Sequence, residues 1–260
     1  MDKPNIVIIY TDDQGYGDLG CFGATGFSTP RIDRMAREGV RLTSFYAAPV
    51  CTPSRASLMT GCYPIRVGLE AGTGFGVLFT GDPKGLDPRE ISMPRMFKEV
   101  SYATGMFGKW HLGDQPDFLP TRHGFDEFWG TPYSNDMWNK HPKNNKFHFP
   151  PLPLLEGEKV AEIDPDQFHL TRRTADRAVD FISRNRDRPF FLCSVQHAAS
   201  ACPRVGAFPE QIRDLEAEGW GDGRALSDTR CHGRDVSSVH GRDRFLSRPD
   251  PGHHRFEWYR

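Results

Sequence analysis

Three clusters in this 260-residue sequence hold residue types able to do chemistry. Asp12-Asp13 follows an apolar run, and paired carboxylates after a strand suit a hard divalent cation, which takes oxygen ligands. The same pair also suits a polar turn or a helix cap. Cys51-Thr52-Pro53-Ser54-Arg55 is the second cluster. Cys51 stands just before a predicted helix, where free N–H groups and the helix dipole favour negative charge. Arg55 lies about one helical turn on, so thiol and guanidinium reach the same end. Together they would grip an anionic substrate, although a buried thiol and a surface arginine would leave the same letters. Gly108-Lys109-Trp110-His111-Leu112-Gly113 is the third. In an extended segment Lys109 and His111 share a face. That sets a fixed cation beside a titratable imidazole, suited to binding an anionic group and protonating a leaving oxygen. A polar strand end with Trp110 packed in the core is the plainer alternative.

The elements that must hold these clusters alternate in type. Asn5–Tyr10 is a continuous β-branched run, as in a strand covered on both faces. Thr29-Pro30 starts a helix with Ile32, Met35 and Ala36 on one face and Gly39 as its stop. Val40–Tyr46 reads as a second strand, Pro53–Thr60 as a short helix ending at Gly61, Met93–Glu99 as a helix and Ala103–Phe107 as a strand. Residues 114–165, rich in Pro, Asn and aromatics, read as long loops. Phe168–Arg186 is helical, with Ala175, Ala178, Val179 and Ile182 on one face, and Phe190–Val195 is a buried strand. The alternation predicts an α/β fold, a doubly wound, mostly parallel sheet with helices on both faces. Such sheets carry their sites beyond the carboxyl ends of the strands, where Asp12, Asp13, Lys109 and His111 fall.

Composition narrows the partners. Net charge is -1, so no global field points to nucleic acid or an anionic membrane. The apolar run Ile6–Tyr10 is too short to span a bilayer and lacks the layout of a secretory signal, so the chain as written is expected to stay in the cytosol. Six scattered cysteines without a CxxC pair support neither a zinc site nor a disulfide framework.

Taken together, three motifs in order resemble the sulfatase family of the alkaline phosphatase superfamily: Asp12-Asp13-Gln14-Gly15-Tyr16-Gly17-Asp18, Cys51-x-Pro53-x-Arg55 continuing as Ala56-Ser57-Leu58-Met59-Thr60-Gly61, and Gly108-Lys109-Trp110-His111-Leu112-Gly113. The look is closest to the arylsulfatase A and N-acetylgalactosamine-6-sulfatase branch, from Asn5 to about Leu192. The resemblance implies a sulfuric ester hydrolase. Cys51 would become formylglycine, made by a formylglycine-generating or equivalent maturation enzyme, and its hydrate would attack sulfur. Asp12 and Asp13, with the modified Cys51, would hold calcium (less often magnesium). Arg55 would hold the formylglycine hydroxyl and Lys109 would bind sulfate. His111 would orient the hydrate or assist its breakdown. Ser134, in Gly130-Thr131-Pro132-Tyr133-Ser134-Asn135-Asp136, matches a sulfate-contacting serine. Substrates would be glycan, lipid or aryl sulfates, and family members are often secreted, periplasmic or lysosomal.

Beyond Leu192 the sequence departs from that pattern. His197 stands near an expected substrate-binding histidine, in different surroundings. The Asp-Asn-Gly or Asp-His-Gly segment and the second lysine of the family are missing, so the expected chain is C-terminally truncated and its activity impaired. Residues 1–197 are read as the N-terminal part of the catalytic domain and 198–260 as an atypical tail. The tail holds ten Arg, no Lys and only ten Leu, Ile, Val and Phe together, which predicts disorder or a translational frameshift. Two further readings stand beside the sulfatase: a phosphonate monoester or phosphodiester hydrolase of the same superfamily, and an inactive fragment or pseudoenzyme.

Overall fold

The computed structural model describes residues 3–196 apart from 27, 73–75 and 142–143. Along these residues run β1 (Ile6–Tyr10), α1 (Pro30–Glu38), α2 (Cys51–Thr60), α3 (Met93–Glu99), β2 (Ala103–Gly108), β3 (Glu127–Gly130), the single turn α4 (Asn144–Phe147), β4 (Pro153–Glu156), β5 (Lys159–Ile163), α5 (Leu170–Asn185) and β6 (Phe190–Val195). The six strands form one sheet in the order β1-β6-β2-β3-β4-β5. The first four are parallel, β4 pairs antiparallel with β3, and β5 pairs antiparallel with β4. This is the expected mostly parallel α/β sheet.

Alternation along β6 shows how the sheet is covered. Phe191, Cys193 and Val195 join Ala56 and Met59 of α2 in one buried cluster, with Met93 and Phe97 of α3 packed against it. Phe190 and Leu192 face the other way and join Ala178 and Phe181 of α5. Successive strand side chains point to opposite faces, so a run apolar on both needs helices on both. The last turn of α5 ends beside Arg188-Pro189, and Pro189 accepts from Ala103 where β2 begins.

Two expectations fail here. Residues 114–165 are not merely loops, since they contain β3, β4 and β5. These strands have four or five residues each, too few to show a period, and the β4–β5 hairpin turns on Gly157 at φ 62°. Val40–Tyr46 is not a strand. Val40, Leu42, Phe45 and Tyr46 are 56–87% exposed there. β-Branched and aromatic residues favour a strand only where a neighbour completes the ladder, and none of the described residues does so here.

The loop after β2 is anchored through Trp110. Its indole N–H donates to the Phe118 carbonyl at 2.8 Å, its ring lies 5.5 Å from that of His123, and Phe125 meets it edge-on at 6.3 Å. His123 is fully buried. Burial, then the charge of Arg95, pull its pKa down to about 4 against the opposing Phe118 carbonyl and Asp87. The fold therefore favours neutral His123. Its contribution is complete above the ordinary value of 6.5 and is lost as pH falls from there toward 4, about 3 kcal/mol in all. Urea unfolding at pH 7.5 and 4.5 should show this loss, and His123→Phe should flatten the slope. An equal slope in the variant would show that other groups set the acid sensitivity.

Candidate active site

The parallel strands deliver their following residues to one end of the sheet. β1 ends at Tyr10 and leads into Asp12, β2 ends at Gly108 before Lys109, and β3 ends at Gly130 before Thr131–Ser134. α2 brings Cys51 and Arg55 to the same place. Cys51 is the first residue of α2 rather than the residue before it, because the Val50 carbonyl already accepts from Ser54 at 3.2 Å.

Lys109 ties the site together. Its Nζ donates to Asp12 Oδ2 at 2.5 Å, to Ser134 Oγ at 3.0 Å and to Cys51 Sγ at 3.3 Å. Arg55 takes the other Asp12 oxygen through Nη2 at 2.9 Å, and its Nη1 donates to the Lys109 carbonyl at 2.7 Å. Arg55 also lies over the Tyr10 ring at 5.1 Å. Asp12, Arg55, Lys109, His111 and Ser134 are all buried, and Cys51 is half-buried.

Electrostatics follow from this packing. Burial pushes the Asp12 carboxyl up, yet Lys109 and Arg55, by charge and by hydrogen bond, pull it well below the usual carboxylate range. Asp13 is pushed up by burial and by the Asp12 charge, with Asp136 adding to the rise. For Cys51 burial wins: the thiol is raised although Lys109 and Arg55 oppose it. The negative charge expected at this helix start therefore does not develop on the thiol, which stays protonated and a weak nucleophile.

His111 departs from the extended geometry expected of it. Its φ is 64°, its backbone N–H donates to Pro132 at 3.0 Å and its Nε2 meets the Leu78 carbonyl at 2.9 Å. It and Lys109 therefore address different partners instead of one shared face. Burial, then Lys109 and Arg55, hold its pKa well below the ordinary histidine value. Two buried polar atoms of the cluster, Arg55 Nε and His111 Nδ1, have no partner among the described residues.

Asp12, Cys51, Arg55, Lys109 and Ser134 are thus brought into one bonded cluster, with Asp13 and His111 in its electrostatic reach. His197 lies outside the described residues, as does the tail 198–260. Sequence reasoning passed over Thr52, fully buried between Cys51 and Pro53, and Gln196, whose N–H donates to the Tyr10 carbonyl at 2.9 Å. Their signal was adjacency in the sequence: Thr52 follows Cys51 and Gln196 precedes His197.

The donor set can be weighed against a hard cation. Carboxylates are the right type, and a cation would relieve the crowding that raises Asp13. The number is small: among the described residues no three His, Cys, Asp or Glu side chains gather as a metal site, and both Asp12 oxygens already serve cations. The described residues thus fit part of an oxygen shell.

The sequence and fold match known proteins. The Sulfatase family model covers residues 4–236. The chain belongs to the sulfatase family. This sulfatase is 49% identical over 301 residues to steryl-sulfatase of Rattus norvegicus, an alignment covering 86% of the chain and 52% of that relative. It is 40% identical over 213 residues to arylsulfatase A of Homo sapiens, covering 75% of the chain and 41% of that relative. The solved structure of Ps i-CgsB in complex with k-i-k-neocarrahexaose superposes with a TM-score of 0.61 at 32% identity, covering 79% of this chain and 46% of that one. The chain spans about half the length of the curated relatives it matches. No described helix of the sulfatase is long and apolar enough to cross a membrane.

Proposed function

We propose that this chain carries the nucleophile-bearing part of a sulfuric ester hydrolase, with residues 1–197 as the N-terminal part of its catalytic domain. The observation that carries this is the triple contact of Lys109 with Asp12, Cys51 and Ser134, in a chain of the sulfatase family. Conversion of Cys51 to formylglycine would supply a hydroxyl nucleophile for sulfur, and calcium or magnesium held by Asp12, Asp13 and the modified Cys51 would supply charge for sulfate oxygens. The chain's own residues do the rest. Lys109 places its ammonium beside both the nucleophile position and the Ser134 hydroxyl, where sulfate oxygens gain charge. Arg55, fixed at both Nη atoms, keeps Nε as a free donor toward an incoming oxygen. His111, held neutral, offers a proton acceptor.

Glycan, lipid and aryl sulfates are the substrate classes this reading admits. The oligosaccharide bound to Ps i-CgsB and the names steryl-sulfatase and arylsulfatase A support it. Because the described residues bring only part of the cation shell, slow turnover is expected.

The chain should be produced with a formylglycine-generating enzyme and assayed on an aryl sulfate and an aryl phosphodiester, with calcium present. Mass spectrometry of the Cys51 peptide reports conversion. Aryl sulfate turnover should fall roughly 10³-fold or more in Cys51→Ala. Preference for the phosphodiester would move the chain to a phosphonate monoester or phosphodiester hydrolase. Full conversion without turnover would leave an inactive fragment.

A further inference from the structure

A closed ring of hydrogen bonds surrounds His111, and Thr52 is its keystone. The Thr52 hydroxyl donates to the His111 carbonyl at 3.1 Å and accepts from the Leu78 backbone N–H at 3.1 Å. The Leu78 carbonyl in turn meets His111 Nε2 at 2.9 Å. All three residues are buried: Thr52 is 0%, His111 1% and Leu78 2% exposed.

Polarity runs one way round this ring. A carbonyl oxygen only accepts, so the proton of a neutral imidazole must sit on Nε2, and Nδ1 keeps the lone pair. Nδ1 is buried without a partner among the described residues, which leaves that lone pair available. The ring also explains how His111 keeps a left-handed φ of 64°. For a residue with a Cβ this conformation is strained, and it persists only where the surroundings over-determine it. Here the Pro132 carbonyl holds the His111 N–H, Thr52 holds its carbonyl and Leu78 holds its ring.

We propose that Thr52 is a positioning residue: its hydroxyl pins the Leu78 peptide to the His111 main chain and thereby fixes His111 as the Nε2–H tautomer with Nδ1 as a proton acceptor. The second residue of α2 thus couples the nucleophile's helix to the base. The tautomer stands on hydrogen-bond geometry alone, and only its consequence for catalysis rests on the sulfuric ester reading.

The test is a long-range ¹H–¹⁵N correlation spectrum of the full chain carrying ¹⁵N-labelled histidine at pH 7.5, with His111→Asn assigning the signal. Wild type should show the pattern of protonated Nε2 and bare Nδ1. Thr52→Ser should keep it. Thr52→Val, equal in shape but lacking the hydroxyl, should show mixed tautomers, and Thr52→Ala serves the same purpose if the valine variant melts below the temperature of measurement. A wild-type signal protonated at Nδ1, or at both nitrogens, overturns the proposal. So does a folded variant without the hydroxyl that retains the pure Nε2–H pattern. In the matured chain, loss of the tautomer should lower kcat on an aryl sulfate ~10-fold or more with little change in KM. A changed tautomer with unchanged kcat would sink the role given to His111 in hydrolysis, while the tautomer lock stands.

Discussion

Asp12→Ala is expected to destabilise the fold by about 3–5 kcal/mol, one of the two largest single-residue effects foreseen for this chain. Asp12 neutralises two buried cations at once: Lys109, whose side chain is 1% exposed, and Arg55, 3% exposed. Water cannot replace the carboxylate there, so its removal strands both charges in a medium of low dielectric constant. Asp12→Asn keeps the shape and one acceptor oxygen and should cost somewhat less. Urea unfolding at neutral pH decides the matter: a loss below about 1 kcal/mol for Asp12→Ala would mean that solvent reaches the pair and the site is open. The same result bears on the cation. Both Asp12 oxygens accept from Lys109 and Arg55, so a cation held by Asp12 would have to share them with these two side chains.

Gly108→Ala is the second, expected to cost about 3 kcal/mol or more. Gly108 ends β2 at φ 110°, a region that side chains rarely enter. An added Cβ would overlap the carbonyl of Val195, its ladder partner on β6. Main chain cannot swing aside as a flexible side chain can, so β2 and β6 must part, and Lys109 moves with them. Gly61→Ala is the control. It has φ 68° with nothing within 4 Å of the added Cβ, so it reports the backbone cost alone, about 1 kcal/mol. Thermal and urea unfolding of both should separate them by roughly 2 kcal/mol. Equal losses would show that the close approach of β2 and β6 relaxes without cost.

Much of the fold was legible because its signals are local. The apolar runs of β1, β2 and β6 and the 3.6-residue period of α5 follow from one-dimensional spacing. α2 was legible from Pro53 and Gly61, although its start lies two residues earlier than expected, at Cys51. β3, β4 and β5 were not legible, since a strand of four or five residues shows fewer than three repeats of its period. Val40–Tyr46 shows the converse: strand-like residues remain irregular because a strand is a property of a pair.

At the candidate site, residue types belonged to the sequence. Asp12, Asp13, Cys51, Arg55, Lys109, His111 and Ser134 stand in motifs whose order places them after strands or at a helix start, and the chemistry of carboxylate, thiol, guanidinium, ammonium and imidazole comes with the letters. Protonation and contact belonged to the tertiary structure alone. Whether Cys51 is thiolate or thiol depends on burial weighed against Lys109 and Arg55, from residues four to fifty-eight positions away. The tautomer of His111 depends on a carbonyl 33 residues earlier. Desolvation and charge act through space at a few ångströms, and only folding decides which distant residues come that close.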